Sequence, residues 1–156
     1  MARTTFSGPI VSQAGMFNAG SNSVVNITAE TTLTVAAHAG KVIEINDADG
    51  AVTLPTIKST EIGATYTFFV GTDATDLDIK TDGTDKFVGS VVLAVNNGSI
   101  KAFQPAATND VISLNGSTTG GDKNSYVQVT ALATAEYMVQ GVLIGSGTIA
   151  TPFADS

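Results

Sequence analysis

Short runs rich in Val, Ile, Thr and Phe recur along the chain, separated by Gly, Asn and Asp. Within many of these runs apolar and polar residues alternate. Leu33 and Val35 flank Thr34, Val42 precedes Glu44 by two, and Leu77 and Ile79 stand among Asp76, Asp78 and Lys80. A period of two belongs to a strand with one face in a core and the other in water. The pattern predicts strands over 24–28, 31–35, 41–46, 51–54, 64–70, 77–80, 87–95, 100–103, 111–114, 126–132 and 137–144. Between them lie Asp49-Gly50, Asp82-Gly83, Asn97-Gly98 and Asn115-Gly116. These dipeptides tolerate the positive φ of primed hairpin turns. The expectation is an all-β fold, an antiparallel sandwich or small barrel built as a meander or Greek key. Residues 128–140 contain enough Ala, Leu, Glu and Met for a helix, but Val129, Thr130, Thr134, Tyr137 and Val139 favour strand, turn, strand.

The opening of the chain breaks this pattern. Arg3 is the only charge in the first 29 residues, and Ser, Asn, Gly and Ala dominate. Phe6, Pro9, Ile10, Val11, Met16 and Phe17 are scattered among them at neither helical nor strand spacing, interrupted at Gly8, Gly15 and Gly20. Residues 1–23 therefore read as an extended N-terminal arm carrying hydrophobic anchors, with 24–156 as the β-rich body. The alternative is an irregular first strand that packs on its own domain.

Composition narrows the classes of partner. At 156 residues the chain is sized for one domain. Seven basic residues against fourteen acidic ones give a net charge of -7, which repels a phosphate backbone, so nucleic acid is not an expected partner. The absence of cysteine excludes disulfides and thiolate metal sites. No apolar run approaches the ~18 residues of a membrane helix, and no apolar stretch follows Arg3 as a secretory signal would require, so no membrane partner is expected.

Candidate chemistry is sparse. His38 is the sole histidine, and its context, Ala36-Ala37-His38-Ala39-Gly40, reads as a turn before the next strand. Gly116 to Lys123 approaches a phosphate-binding loop, but Asp122 occupies the place that needs lysine, so the segment reads as a glycine-rich hairpin loop. Asp47 with Asp49, and Asp73, Asp76, Asp78, Asp82 and Asp85, form acidic clusters. Thr56 and Gly89 stand where a twelve-residue calcium loop needs glutamate, and the clusters read as a solvated rim. Glu30, Glu44, Glu61 and Glu136 are dispersed and no tryptophan is present, so no paired-carboxylate glycosidase is expected. No enzyme, cofactor or metal is expected.

Several segments look familiar. Asn109-Asp110-Val111-Ile112-Ser113-Leu114-Asn115-Gly116 with its glycine-rich continuation, Tyr126-Val127-Gln128-Val129, and Gly145 to Phe153 resemble the C-terminal part of tailed-phage head decoration, or capsid-stabilising, proteins, with related modules in some fibres. Gly50-Ala51-Val52-Thr53-Leu54-Pro55, Gly63 to Val70, and Arg3-Thr4-Thr5-Phe6-Ser7-Gly8-Pro9 are similar to the same group. Tyr137-Met138 departs from it, in place of an aromatic pair. The resemblance implies a non-enzymatic virion structural protein: a β-rich homotrimer made in the host cytoplasm and seated on the outer capsid surface, where it binds the major capsid protein. It transfers no catalytic residue. The arm residues Arg3, Phe6, Pro9, Ile10, Val11, Met16 and Phe17 become the candidate capsid interface. The alternative reading is a phage fibre or adhesin module that binds host glycans.

Overall fold

The computed structural model describes residues 24–96 and 98–156. The arm residues Arg3, Phe6, Pro9, Ile10, Val11, Met16 and Phe17 lie outside the described residues, as does Asn97. The strands are β1 (Val24–Ile27), β2 (Thr31–Thr32), β3 (Val42–Ile45), β4 (Ala51–Thr53), β5 (Thr65–Val70), β6 (Leu77–Lys80), β7 (Lys86–Val95), β8 (Ile100–Phe103), β9 (Val111–Leu114), β10 (Tyr126–Ala133), β11 (Glu136–Gly145) and β12 (Phe153–Ala154). They form two layers. A seven-stranded sheet runs β1-β3-β5-β10-β11-β7-β8 and a five-stranded sheet runs β12-β9-β6-β4-β2. Ile43, Phe68, Val129, Val139 and Leu93 from the first sheet and Val52, Ile79, Ile112 and Leu114 from the second fill one core between them. Alternation explains which residues these are: in β5, Tyr66, Phe68 and Val70 are buried while Thr65, Thr67 and Phe69 face the other way.

The expected all-β sandwich is thus what the chain forms, but its strand pairing is mixed rather than antiparallel, and neither sheet closes into a barrel. β1 pairs parallel with β3 and β3 with β5, while β2 pairs parallel with β4 and β4 with β6. The first six strands therefore wind between the sheets as a flattened coil. β9 and β10 then close antiparallel on β6 and β5. Of the four anticipated turns, only the one at Gly98 joins a hairpin, β7 to β8. The other three carry the chain across from one sheet to the other. The physical reason is that alternation specifies which side of a strand is buried and is silent about which sheet it joins: Val52 of one sheet and Ile43 of the other are both fully buried with the same pattern around them.

Two short elements depart from the expected strands. The strand expected over 31–35 stops at Thr32, and Val35–His38 forms one helical turn, α1. Thr34 caps it by accepting from the Ala37 amide at 3.4 Å. The two residues of β12 pair with Ile112 and Val111, too short a run to leave a periodic signal. The ambiguous 128–140 segment is strand, turn, strand, with Ala135 at φ 69° in the turn between β10 and β11.

Candidate functional site

The outer faces of the two sheets differ in chemistry. On the five-stranded sheet, register places Ala51, Asp78 and Ser113 in one outward row and Thr53, Lys80 and Val111 in the next, small or polar for the most part. On the seven-stranded sheet, one outward row reads Glu44, Phe69, Tyr126, Val142, Val92 and Ala102. Beside it lie Ile144, Ala94 and Ile100, the last 70% exposed. An apolar strip therefore crosses most of this sheet on the side away from the core, the kind of contiguous surface that marks an association site.

On the opposite side of that row, Val42 is followed by a polar run of Thr67, Gln128, Gln140 and Ser90. Here the outer face dips. Thr67, Tyr126, Gln128, Gln140 and Gly141 line a depression of ≈ 300 Å³. Tyr126 is 47% exposed on its wall, directly opposite Phe69 on one neighbouring strand and Val142 on the other. Gln140 Nε2 donates to Gln128 Oε1 at 2.7 Å, and Gln128 Nε2 donates to Thr67 Oγ1 at 3.5 Å. A ladder of amides thus spans three strands. No charged side chain lines the depression.

The residues singled out in the sequence do not converge on a reactive centre. His38 ends α1, where its Nδ1 accepts from the Thr34 amide at 3.0 Å, a local tie within the expected turn. The Gly116–Lys123 segment folds back on itself through an antiparallel bridge between Ser117 and Gly120, but the strands it joins are not a hairpin: it carries the chain from β9 in one sheet to β10 in the other. Gly116 N donates to Gly120 O at 2.7 Å, Asp122 N to Ile144 O at 2.9 Å, and Gly121 O accepts from Ala74 at 2.9 Å. Asn115 Oδ1 takes the Ser117 and Thr119 amides. The amides of Gly116, Ser117, Thr119, Asp122 and Lys123 are thus used inside the protein.

The acidic residues separate into different tasks, and not all of them form a rim. Asp73 accepts from the Lys123 amide at 2.7 Å. Asp85 is 2% exposed and accepts from the Ile57 amide at 2.9 Å; burial, with Asp82 nearby, raises its carboxyl above the usual range against the pull of that amide. Asp82 is held low: burial opposes ionisation, but the Thr56 hydroxyl and the Thr84 and Asp85 amides outweigh it. Together the two carboxylates tie the loop after β4 to the β6–β7 crossing. Tyr137, whose hydroxyl donates to Pro55 O at 2.6 Å, closes the same region from inside. Among the described residues no group of three or more His, Cys, Asp or Glu is placed to hold a metal ion.

Asp110 anchors the C-terminal tail. It accepts from Lys86 Nζ at 2.6 Å, from the Ser156 amide at 2.8 Å and from the Ser156 hydroxyl at 3.2 Å. Burial works against its charge, yet Lys86 and Ser156 together hold the carboxyl below its ordinary value. A depressed carboxyl contributes stability that is present above the unfolded-state value of about 3.9 and is lost as pH falls through the folded-state value. The stability cost of Asp110→Asn, measured by urea unfolding, should therefore be full at pH 7 and shrink as pH drops below about 4. A cost that is the same at pH 7 and pH 3 would show that Asp110 is not ionised in this tie.

Among known proteins, the chain matches no family model, and no curated protein or solved structure is significantly similar to it. Tyr126, Gln128 and Gln140 were legible only as strand positions. Their meeting with Thr67 and Phe69 depends on β10 pairing with β5, a partner far away in the chain. Among the described residues no helix is long and apolar enough to cross a membrane.

Proposed function

We propose that this protein is a non-enzymatic structural component of a tailed-phage particle, a homotrimer that decorates the outer capsid surface and stabilises the shell by binding the major capsid protein. The observation that carries the reading is the apolar strip through Phe69, Tyr126, Val142 and Val92, set against the largely polar outer face of the five-stranded sheet. One-sided apolar exposure suits a protein that works by being covered. β1 is an edge strand of the same sheet, and Phe6, Ile10, Val11, Met16 and Phe17 come before it in the sequence, outside the described residues. The resemblance of 109–121 and 145–153 to capsid-stabilising proteins points the same way. Repeated identical contacts in a trimer multiply weak single attachments.

Electron microscopy of purified particles that carry this protein provides the test. Density for it is expected on the outer capsid surface at local threefold positions; density confined to the tail or fibres would overturn the proposal. Deleting residues 1–20 should leave the β-rich circular dichroism spectrum intact and weaken attachment to isolated capsids at least tenfold. Burying one such side chain is worth roughly 1.5–3 kcal/mol, and about 1.4 kcal/mol is a factor of ten. If the truncated chain instead unfolds, residues 1–20 belong to the body's own core and the capsid contact lies elsewhere.

A further inference from the structure

The depression at Tyr126 differs from the apolar strip that borders it, and its chemistry narrows what it can hold. It has no charged lining, so it offers nothing specific to a phosphate, a carboxylate or an ammonium group. A purely apolar guest would desolvate the Gln128 and Gln140 carboxamides and the Thr67 hydroxyl without replacing their hydrogen bonds. The guest that fits carries a dense set of uncharged hydroxyls on one side and C–H groups on the other.

The protein presents partners for both sides. Tyr126 stands beside the amides, half exposed, and Phe69 and Val142 flank it in register, so its ring is supported from both neighbouring strands. Such a ring supplies an apolar face at low conformational cost. The amide ladder restrains its members: Gln140 Nε2 is bonded to Gln128 Oε1 at 2.7 Å and Gln128 Nε2 approaches Thr67 Oγ1 at 3.5 Å. An amide has two donors and a two-lone-pair acceptor, so one hydrogen on each Nε2 is left over, and Gln140 Oε1 receives no hydrogen bond from the described residues. Amide donors and acceptors beside an exposed aromatic ring, in a hollow of ≈ 300 Å³, match a single ring-sized guest at the small end of ligand sites.

We propose that this depression binds one neutral pyranose unit of a glycan, stacked on Tyr126, with its hydroxyls bonded to Gln128, Gln140 and Thr67. The site is uncharged and open, so selection is for neutral over acidic sugars, and affinity for one unit is weak, a Kd on the order of 1 mM. Copies arrayed on a surface raise this by avidity. Tyr126 also stands in the apolar strip, so a partner that covered the strip there would exclude the sugar; the inference concerns the isolated protein and is tested on it.

Titration of the full-length 15N-labelled chain with the methyl glycosides of galactose, mannose and N-acetylglucosamine, and with N-acetylneuraminic acid, provides the test. At least one neutral glycoside should shift the backbone amides of Tyr126, Gln128, Gln140 and Gly141 in a saturable way, and the acidic sugar should not. Tyr126→Ala should weaken the response at least fivefold with the remaining spectrum unchanged, and Gln140→Leu, which removes the amide but keeps the bulk, should do the same. If none of the three neutral glycosides moves these amides up to about 50 mM, some fifty times the expected Kd, the proposal is overturned. It is equally overturned if the shifts survive both substitutions, or if the acidic sugar produces them as strongly.

Discussion

Gly121→Ala should destabilise the protein by about 2–5 kcal/mol, while Gly40→Ala should cost only about 1–2 kcal/mol. Both glycines hold positive φ, +100° at Gly121 and +74° at Gly40, so both substitutions carry the backbone strain of an L-residue in that region. They differ in what surrounds them. A Cβ at Gly40 meets nothing within 4 Å, whereas one at Gly121 lies 2.7 Å from Leu114 Cβ and 2.9 Å from Ala74 Cβ. Neither neighbour can give way. Leu114 is fully buried on β9, and Ala74 donates its amide to Gly121 O, so the loop from β9 to β10 and the crossing from β5 to β6 are pinned together at this point. Against a total stability of about 5–15 kcal/mol, the larger loss is enough to shift the urea midpoint well outside measurement error. Equal midpoints for the two variants would mean that the two crossings are not in contact as described.

The adjacent aromatics of β5 make the second sharp contrast. Phe68 is fully buried against the opposite sheet and Phe69 is on the outer face. Phe68→Ala should cost about 3–5 kcal/mol by lost transfer and a residual cavity. Phe69→Ala should cost less than about 1 kcal/mol, the worth of its cross-strand pair with Tyr126. Thermal unfolding of the two variants decides it: a large drop for Phe68→Ala and a small one for Phe69→Ala. The reverse order would place β5 one residue out of register and turn the apolar strip into core.

Much of this architecture was legible in residue order because a period of two is a strong signal when strands are half buried. Leu77 and Asp78 declare their faces without help from the rest of the chain, but Val42, set against Glu44 in the sequence, lies two residues from it on the same outer face and is 39% exposed, with Ile43 and Ile45 buried instead. Sheet membership was not legible. Equivalent positions in the winding of β1, β3 and β5 are Val24, Val42 and Thr67, at unequal intervals, so no repeat shows in the sequence. The Asp-Gly and Asn-Gly dipeptides mark reversals but not their destinations, and Gly50 turns the chain without positive φ at all. Asp85 was assigned to the solvated rim because acidic residues in a run look alike; its burial follows from the Ile57 amide, 28 residues earlier, needing an acceptor. The candidate site was invisible for the same reason, since Gln128 and Gln140 acquire their role only from the strands that bring them side by side.

The winding of the chain between layers also determines how the molecule comes apart. Each of the first six strands lies in the opposite sheet from its predecessor, so no cut in the backbone separates one sheet from the other. Consider a nick in the exposed stretch at Lys58, Ser59 and Thr60, between β4 and β5. The fragment before it holds β1 and β3 in one layer and β2 and β4 in the other; the fragment after it continues both layers through β5 and β6. The new ends would be joined by two parallel ladders and a shared core rather than by the lost peptide bond. Such a chain is a natural candidate for division into complementing halves, each useless alone and each the template on which the other regains its strands.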